Sequence, residues 1–227
     1  MPGDRVCVTD SVAYSLERLS RLRPLAIVSG RSVDDVTRRI KFTARFIVGN
    51  HGAEGLGQAL TVDTAPLDIV RLRMAAHVEE LRAADVLVED KRYSLALHYR
   101  AAAEQRQAAG IIEMLLTDLP ATLRCFHGKC VFNVVTTDAP DKYLAVTSLV
   151  ERAHCDSAVF VGDDVNDESV FARAPRSWLT VRVGRDDPIS QAAFFLDRQA
   201  EVATLLDTML ELLHAARSIA PDLARGN

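Results

Sequence analysis

Short apolar runs that each end in a polar turn constrain the fold of this chain more than any other sequence feature. Four such runs alternate with helix-like stretches, and they cover residues 25–28, 45–48, 158–161 and 179–183. Short buried strands separated by helices are typical of a parallel sheet that is covered on both faces. Ligands of such sheets bind at the carboxyl ends of the strands, so the polar turns there are the first candidates for a functional site.

The remaining periodicity divides the chain into three segments. Apolar residues at helical spacing predict core helices over 12–22, 33–41, 142–153, 168–174 and 201–217, with a frayed tail from Ser218. The middle differs, because helices over 67–82 and 101–116 accompany two alternating, strand-like stretches, 86–100 and 124–135. We therefore predict a core in two parts, 1–59 and 137–227, with a smaller α/β cap inserted at 60–136.

Charge and composition exclude several classes of function. The 227 residues carry 27 basic and 31 acidic side chains without a basic tract, which argues against nucleic acid as a partner. No apolar run approaches the roughly 18 residues that cross a bilayer, and the first ten residues include charged side chains where a signal segment would be apolar, so we expect a cytoplasmic protein without membrane attachment. The cysteines lack C-x-x-C spacing, which predicts reduced, mostly buried thiols; they are Cys7, Cys125, Cys130 and Cys155.

The densest chemical signal is an acidic turn directly after the third apolar run. Between positions 163 and 168, four of six residues are acidic. Hard cations such as Mg²⁺ take oxygen ligands and keep several waters, so a few carboxylates suffice when a phosphate supplies further oxygens. The candidate metal ligands are Asp163, Asp164 and Asp167. The alternative is a solvated turn in which Asp167 caps the following helix.

Two other turns contain groups suited to phosphate. Ser29 follows the first run and precedes a helix, where a hydroxyl and backbone N–H groups can hold a phosphate oxygen. The alternative for this turn is helix capping by Ser32 or Asp34. Lys142 starts another helix, where its ammonium can neutralise phosphate or orient a carboxylate, although most lysines are simply solvated.

A charged stretch in the insert suggests recognition of a polar ligand. If 86–100 is one strand, Glu89 and Lys91 share one face and the other carries Arg92, His98 and Arg100. One of these faces suits sugar hydroxyls. The alternative is an edge strand that charge keeps from aggregating.

Taken together, these motifs resemble those of trehalose-6-phosphate phosphatases in the haloacid dehalogenase superfamily, from about residue 25 to 206. The resemblance is carried by segments 29–31, 49–54, 88–91, 98–100, 128–129, 141–142 and 162–171. It implies a Rossmann-like haloacid dehalogenase core with a parallel sheet, an inserted α/β cap, Mg²⁺ as cofactor and a sugar phosphate as substrate. It also implies a nucleophilic aspartate that forms an aspartyl-phosphate, which water then hydrolyses.

The resemblance also implies a role for individual residues. Ser29 would hold the transferring phosphoryl group and Lys142 would neutralise it, while Asp163 would bind Mg²⁺ with support from Asp164 and Asp167. Five further residues would contact the sugar or close the cap; they are Arg31, His51, Glu89, Lys91 and Lys129.

The sequence departs from the family pattern at its catalytic centre. The Asp-x-Asp-Gly-Thr motif, which supplies nucleophile and acid/base in the family, is absent from the chain. In related proteins its strand lies between those ending at Gly30 and Gly162, so an upstream start codon is the favoured explanation; a remnant at 6–10 with Asp10 as one carboxylate is less favoured. Asn133 replaces a usual Glu and Tyr143 a usual Gly, which affects the expected sugar contacts.

Three functional readings stay open at this point. The first is a trehalose-6-phosphate phosphatase that is inactive or N-terminally truncated as the sequence stands. The second is a pseudophosphatase that binds Mg²⁺ and sugar phosphate without turnover. The third is a related capped phosphatase for another sugar phosphate, allowed by Asn133.

Overall fold

The core is an α/β layer whose parallel sheet is in two parts. A computed structural model describes residues 8–57 and 62–223. Strand β1 (Ala26–Val28) pairs in parallel with β2 (Phe46–Val48), and a second parallel sheet has the order β7 (Val159–Gly162), β8 (Leu179–Val183), β9 (Phe194–Leu196). No ladder joins β1 to β7 among the residues described. The parallel sheet predicted from the apolar runs is confirmed, and β9 is an addition to it.

Five helices cover this split sheet. They are α1 (Asp10–Ser20), α2 (Val33–Arg39), α6 (Lys142–Arg152), α7 (Glu168–Phe171) and α8 (Glu201–Leu223). Helix α6 lies against both parts, since Val28 of β1 and Phe160 of β7 pack on one cluster around Val146. The tail predicted from Ser218 is wrong, because α8 continues to Leu223.

The inserted segment forms an antiparallel sheet with helices on one face. Its elements are α3 (Asp68–Ala76), α4 (Val78–Ala83), β3 (Leu87–Asp90), β4 (Leu95–His98), α5 (Gln105–Leu115), β5 (Leu123–Gly128) and β6 (Val131–Thr136). The strand order is β3-β4-β6-β5, and one sheet face shares an apolar core with the helices. The predicted boundary at 59/60 lies outside the described residues, so the division into 1–59, 60–136 and 137–227 stays a prediction.

Both alternating stretches of the insert are hairpins, which corrects the prediction of two long strands. The first turns between β3 and β4, with Arg92 at φ 70°, and the second turns at Cys130, with φ 59°. The predicted separation of faces is therefore wrong for Glu89 and His98. The first hairpin folds His98 back onto Glu89, and the two side chains lie 2.9 Å apart.

The second face of the cap sheet lies over the carboxyl ends of the core strands. Register places Glu89, Ala96, Asn133 and Phe126 in one row across this face. The ring of Phe126 meets the ring of His51 in the core, with centroids 5.2 Å apart. The cap thus covers the edge of the core where the predicted site residues lie.

The cysteines and the helices bear on two expectations from composition. The described cysteines are free, but Cys125, Cys130 and Cys155 are only partly buried, whereas mostly buried thiols were predicted; Cys7 lies outside the described residues. No helix in the ranges 8–57 and 62–223 has the length and apolar character needed to cross a membrane.

The packing of α1 on α8 generates a stability prediction. Leu210 is 1% exposed and shares a cluster with Leu19 and Leu206, so Leu210→Ala leaves a cavity and lowers the free energy of unfolding by about 2–5 kcal/mol. Leu212 of the same helix is 65% exposed, and Leu212→Ala changes that free energy by less than about 0.5 kcal/mol. Urea denaturation of both variants measures the difference; equal losses would contradict this packing.

Candidate active site

Three polar turns and one helix start meet beneath the cap. Ser29 follows β1, the turn 49–54 follows β2, the acidic turn follows β7, and Lys142 begins α6. The turns lie together because parallel strands end at the same edge of a sheet, and α6 packs on both sheet parts. The sequence-predicted site residues of the core are therefore neighbours in space.

The centre of this site is a buried ion pair between Lys142 and Asp167. The Lys142 ammonium donates to Asp167 Oδ1 at 2.6 Å, and both side chains are almost fully buried. Asp167 Oδ2 accepts the backbone N–H groups of Asp163 and Asp164, each at 2.9 Å. A Cβ on Gly162 would lie 2.4 Å from the Asp167 carboxyl carbon, so only glycine fits there. Asp167 thus organises the turn, and its oxygens are already engaged.

The other two aspartates of the turn differ in availability. Asp164 accepts from Val165 N at 2.7 Å and from Asn166 Nδ2 at 3.2 Å, so it too holds the turn in shape. The Asp163 carboxylate accepts no hydrogen bond from another described residue. Burial, followed by the nearby charges of Asp167 and Asp164, raises the pKa of Asp163. A cation would relieve both costs, so Asp163 is the ligand of this turn that suits a metal best.

The metal role predicted for Asp163, with Asp164 and Asp167 in support, stays a prediction. Within the described residues no group of three His, Cys, Asp or Glu side chains surrounds a common point. Asp163 can contribute one ligand, while Asp164 and Asp167 set the turn around it. One carboxylate with waters and phosphate oxygens is a ligand set that Mg²⁺ accepts.

The turn after β1 combines capping with an available hydroxyl. Ser32 caps α2, since its Oγ accepts from Asp35 N at 3.2 Å, so the capping alternative holds for that residue. Ser29 Oγ accepts from Arg31 N at 3.1 Å, and no described acceptor takes its proton. Arg31 pairs with Asp35 at 2.8 Å. Hydrogen bonding to Arg39, and then to Arg31, lowers the pKa of Asp35 to about 2.

His51 is held neutral in a crowded, cationic setting. Its backbone is left-handed (φ 59°), and its ring covers Gly30, where a Cβ would lie 2.3 Å from the imidazole. Burial, and then the charges of Lys142, Lys91 and Arg124, lower its pKa to about 3. Its Nδ1 is buried without a hydrogen-bond partner in the described residues, while Asn133 of the cap acts on the same side chain and partly offsets the lowering of its pKa.

The cap contacts this site through Lys91. Lys91 Nζ donates to the Gly30 carbonyl at 3.0 Å and lies 3.5 Å from Glu89, which also binds His98. Lys129 lies in the β5–β6 turn, where the side chain of Arg100 binds its carbonyl at 3.1 Å. Lys91 and its neighbour Glu89 thus lie beside the turn after β1, while the substrate role of Lys129 stays a prediction.

Sequence reasoning missed the polar link between cap and core. Asn50 is buried and donates to Glu54 at 2.8 Å and to the Lys91 carbonyl at 3.2 Å, while its Oδ1 accepts from Ser94 at 3.1 Å. Asn50 lies in a Gly-Asn-His-Gly turn, and asparagine tolerates the left-handed backbone (φ 50°) that it adopts there. This turn composition is the sequence signal that could have drawn attention to it. Ser94 sits in a hairpin turn and offers no such signal.

A second missed feature is the buried Arg182 on β8. Its guanidinium is 2% exposed and binds Glu168 at 2.9 Å, and Glu168 also accepts from Ser190 Oγ at 2.6 Å and from Gln191 N at 3.0 Å. Glu168, the fourth acid of the acidic turn, is therefore already engaged by protein groups. A lone arginine in an apolar strand gives no sequence signal for this role.

Asp10 does not take the place of the absent motif. It begins α1, is 89% exposed, and pairs with Lys41 at 3.2 Å. Val6 and Cys7 of the suggested remnant lie outside the described residues. Asp10 therefore lies on a helix at the surface, whereas the motif it was to replace follows a strand.

The geometry agrees with comparisons to known proteins. The family model described as Trehalose-phosphatase matches residues 3–186. The chain belongs to the trehalose-phosphatase family. It is 31% identical to a probable trehalose-phosphate phosphatase of Sinorhizobium fredii (strain NBRC 101917 / NGR234), over 83% of this chain and 74% of that protein.

A longer relative and two solved structures extend this comparison. The trehalose-phosphate phosphatase of Mycobacterium tuberculosis (strain ATCC 25618 / H37Rv) is 29% identical over 94% of this chain, and the chain spans 58% of that protein's length. The C-terminal domain of the C. albicans trehalose-6-phosphate phosphatase has TM-score 0.74 at 19% identity, covering 91% of this chain and 85% of that one. A trehalose-6-phosphate phosphatase related protein has TM-score 0.71 at 18% identity, covering 92% and 90%. These neighbours confirm the haloacid dehalogenase fold with its cap.

The buried, neutral His51 predicts how stability depends on pH. The unfolded chain binds a proton at this residue below its ordinary pKa of about 6.5, whereas the folded chain does so only near 3. Lowering the pH from 6.5 to 5 therefore costs wild type about 2 kcal/mol that His51→Asn does not lose. Asparagine tolerates the left-handed backbone.

Urea denaturation at several pH values measures this difference. His154→Asn is the matched control, since His154 also has a left-handed backbone (φ 53°), and it should follow wild type. Parallel stability profiles for wild type and His51→Asn would contradict a buried neutral imidazole.

Proposed function

We propose that the protein, in the cytoplasm, takes part in the Mg²⁺-dependent hydrolysis of trehalose 6-phosphate to trehalose and phosphate. The observation that carries this proposal is the Lys142–Asp167 pair at the strand ends, with the available carboxylate of Asp163 beside it. The position of this pair under the cap supports a sugar phosphate as substrate. Membership of the chain in the trehalose-phosphatase family supports the same substrate.

The phosphate end is handled by the core. Ser29 donates its hydroxyl hydrogen to a phosphoryl oxygen, and the Lys142 ammonium neutralises charge that develops during transfer. Lys142 can hold Asp167 and contact the phosphate at the same time, since Asp167 uses one of its three N–H groups. Asp163 would hold Mg²⁺, which when bound neutralises phosphate charge and orients the phosphoryl group.

The sugar end is handled by the cap and the turn after β2. His51 would contact the sugar from the core side, where its neutral ring lies against Phe126 of the cap. Glu89, Lys91 and Arg31 offer charged partners at the border of the covered space, with Lys129 on the neighbouring hairpin. Because Lys91 contacts the Gly30 carbonyl next to Ser29, sugar recognition and phosphate binding are directly adjacent.

The nucleophile is the part that this sequence does not provide. Hydrolysis through an aspartyl-phosphate needs a carboxylate to attack phosphorus and displace the sugar oxygen, after which water breaks the acyl-phosphate bond. The Asp-x-Asp-Gly-Thr motif is absent, and Asp10 is exposed on α1. The edges of β1 and β7 that carry no ladder among residues 8–57 and 62–223 support a strand between them as the place for that carboxylate.

A non-catalytic role is the second candidate. The same absence of a nucleophile favours a pseudophosphatase, a protein that binds Mg²⁺ and sugar phosphate and does not turn them over. Ser29, Lys142 and Asp163 suffice for such binding, because none of them depends on the absent motif for its contacts among described residues. A phosphatase for another sugar phosphate stays possible through Asn133, which is buried in the cap face.

Phosphate release from trehalose 6-phosphate tests these proposals with three proteins. We expect background release from the 227-residue chain, since loss of a covalent nucleophile can cost about a millionfold in rate. A version extended by a strand ending in Asp-x-Asp-Gly-Thr should show Mg²⁺-dependent turnover, and its first-Asp→Asn variant should lose it.

The outcomes separate the two candidate functions. Robust Mg²⁺-dependent turnover by the unextended chain would contradict our account of the nucleophile. Binding of trehalose 6-phosphate by calorimetry, together with an inactive extended version, would favour the pseudophosphatase. In an active version, Lys91→Ala should reduce kcat/KM for trehalose 6-phosphate far more than for a small aryl phosphate.

A further inference from the structure

We infer that Arg173 is a positioning residue that fixes the Lys142 ammonium on Asp167 by holding both neighbours of Lys142 in the chain. The inference rests on the proposed function for its importance, since Lys142 is there the group that neutralises phosphate. The contacts themselves do not depend on that function. Nothing in the motif pattern singles out Arg173, which lies just past α7.

One planar guanidinium makes three contacts. Arg173 Nη2 donates to Asp141 Oδ2, and the guanidinium carbon lies 4.3 Å from the ring centroid of Tyr143. Arg173 Nε donates to the Ser169 carbonyl at 2.9 Å, which anchors the side chain to its own segment. Arg173 therefore joins the residues before and after Lys142 to the segment that follows the acidic turn.

These contacts constrain the start of α6. Asp141 is its N-cap and accepts from Leu144 N at 2.9 Å through the oxygen that Arg173 does not use. Lysine has a long flexible stem, so the position of its ammonium depends on where its backbone is held. Fixing residues 141 and 143 fixes the origin of the Lys142 side chain.

Arg173 and Lys142 cross-link the same two segments. Lys142 reaches from α6 to Asp167, and Arg173 reaches back from the segment after α7 to the start of α6. Tyr143 also meets the buried Trp178, with ring centroids 6.4 Å apart. The stack of Arg173, Tyr143 and Trp178 explains why an aromatic residue occupies position 143, where the family resemblance predicted glycine.

The exposure of Arg173 argues for positioning over bulk stability. Its side chain is 43% exposed, and ion pairs with that access to water contribute little to folding. Its removal should therefore change the local environment of Lys142 while the folded state persists. That combination gives a measurable signature.

Competitive acetylation with limiting acetic anhydride, read by mass spectrometry, tests the inference on the 227-residue chain. The chain has four lysines, Lys41, Lys91, Lys129 and Lys142, and exposed Lys41 is the internal reference. Arg173→Ala should raise labelling of Lys142 relative to Lys41 at least threefold, without changing labelling of the other mostly buried lysine, Lys91. Arg176→Ala, at a nearby exposed arginine, should change neither.

Variants at Tyr143 supply an independent arm. Tyr143→Phe keeps the ring under Arg173 and should leave Lys142 labelling at the wild-type level, whereas Tyr143→Ala removes the ring and should raise it. Tyr143→Ala also carries the same prediction if Arg173→Ala does not fold, with folding checked by circular dichroism.

Two results would overturn the inference. One is unchanged Lys142 labelling in the folded Arg173→Ala and Tyr143→Ala variants, and the other is an equal rise at Lys91, which would indicate general loosening. Labelling does not require turnover, so it separates this inference from the proposed function. An extended chain that is inactive, with Lys142 labelling that responds to Arg173→Ala, would reject the function and keep the inference.

Discussion

The ion pair between Lys142 and Asp167 is the interaction on which the site depends. A buried charge without its partner is strongly destabilising, so each of these residues requires the other. Asp167 also collects two backbone N–H groups of its own turn, which fixes the loop after β7 in one shape. Because Asp167 turns inward to Lys142, Asp163 is left as the carboxylate with a raised pKa that accepts no hydrogen bond from another residue in the described part of the chain. The division of labour among three similar residues follows from this one contact.

The split sheet is the second constraint, and α6 links its two parts. Val28 of β1 and Phe160 of β7 share an apolar cluster with Val146 of α6, although no ladder connects the strands among described residues. The same helix begins with Lys142, so the element that holds the two sheet parts together also positions the Lys142 ammonium in the site. The site residues are therefore fixed in position even though the nucleophile motif is absent.

The sequence predicts the core strands well because they are short, continuous apolar runs that alternate with helices. Continuous apolar runs at 25–28 and 158–161 identify β1 and β7 without ambiguity, and the polar turns after them identify the strand ends. The cap is harder, because alternation continues through a hairpin when its turn lacks an Asn-Gly or Asp-Gly signal. Arg92 and Cys130 adopt left-handed backbones that their residue types do not predict. The sequence pattern therefore predicted one long strand where the structure has a hairpin, at both places.

Residue type predicts which residues belong to the site, but it does not predict the role that each of them has there. Asp163, Asp164, Asp167 and Glu168 look equivalent in sequence, yet hydrogen bonding commits the last three to the turn or to Arg182. Burial and hydrogen-bond geometry decide such tasks, and both arise from contacts between distant segments. Arg173 and Asn50 escaped prediction for the same reason, since their partners lie in other turns and helices.

We propose that Asp163 is the one carboxylate of this turn that binds the metal directly. Anomalous diffraction from crystals soaked in Mn²⁺, a substitute for Mg²⁺ with the same preference for oxygen ligands, tests this directly. We predict one peak at ligand distance from the Asp163 carboxylate, absent from Asp163→Asn crystals of the same form. A peak bound by Asp167, or one on carboxylates away from the acidic turn such as Glu89, would contradict the account.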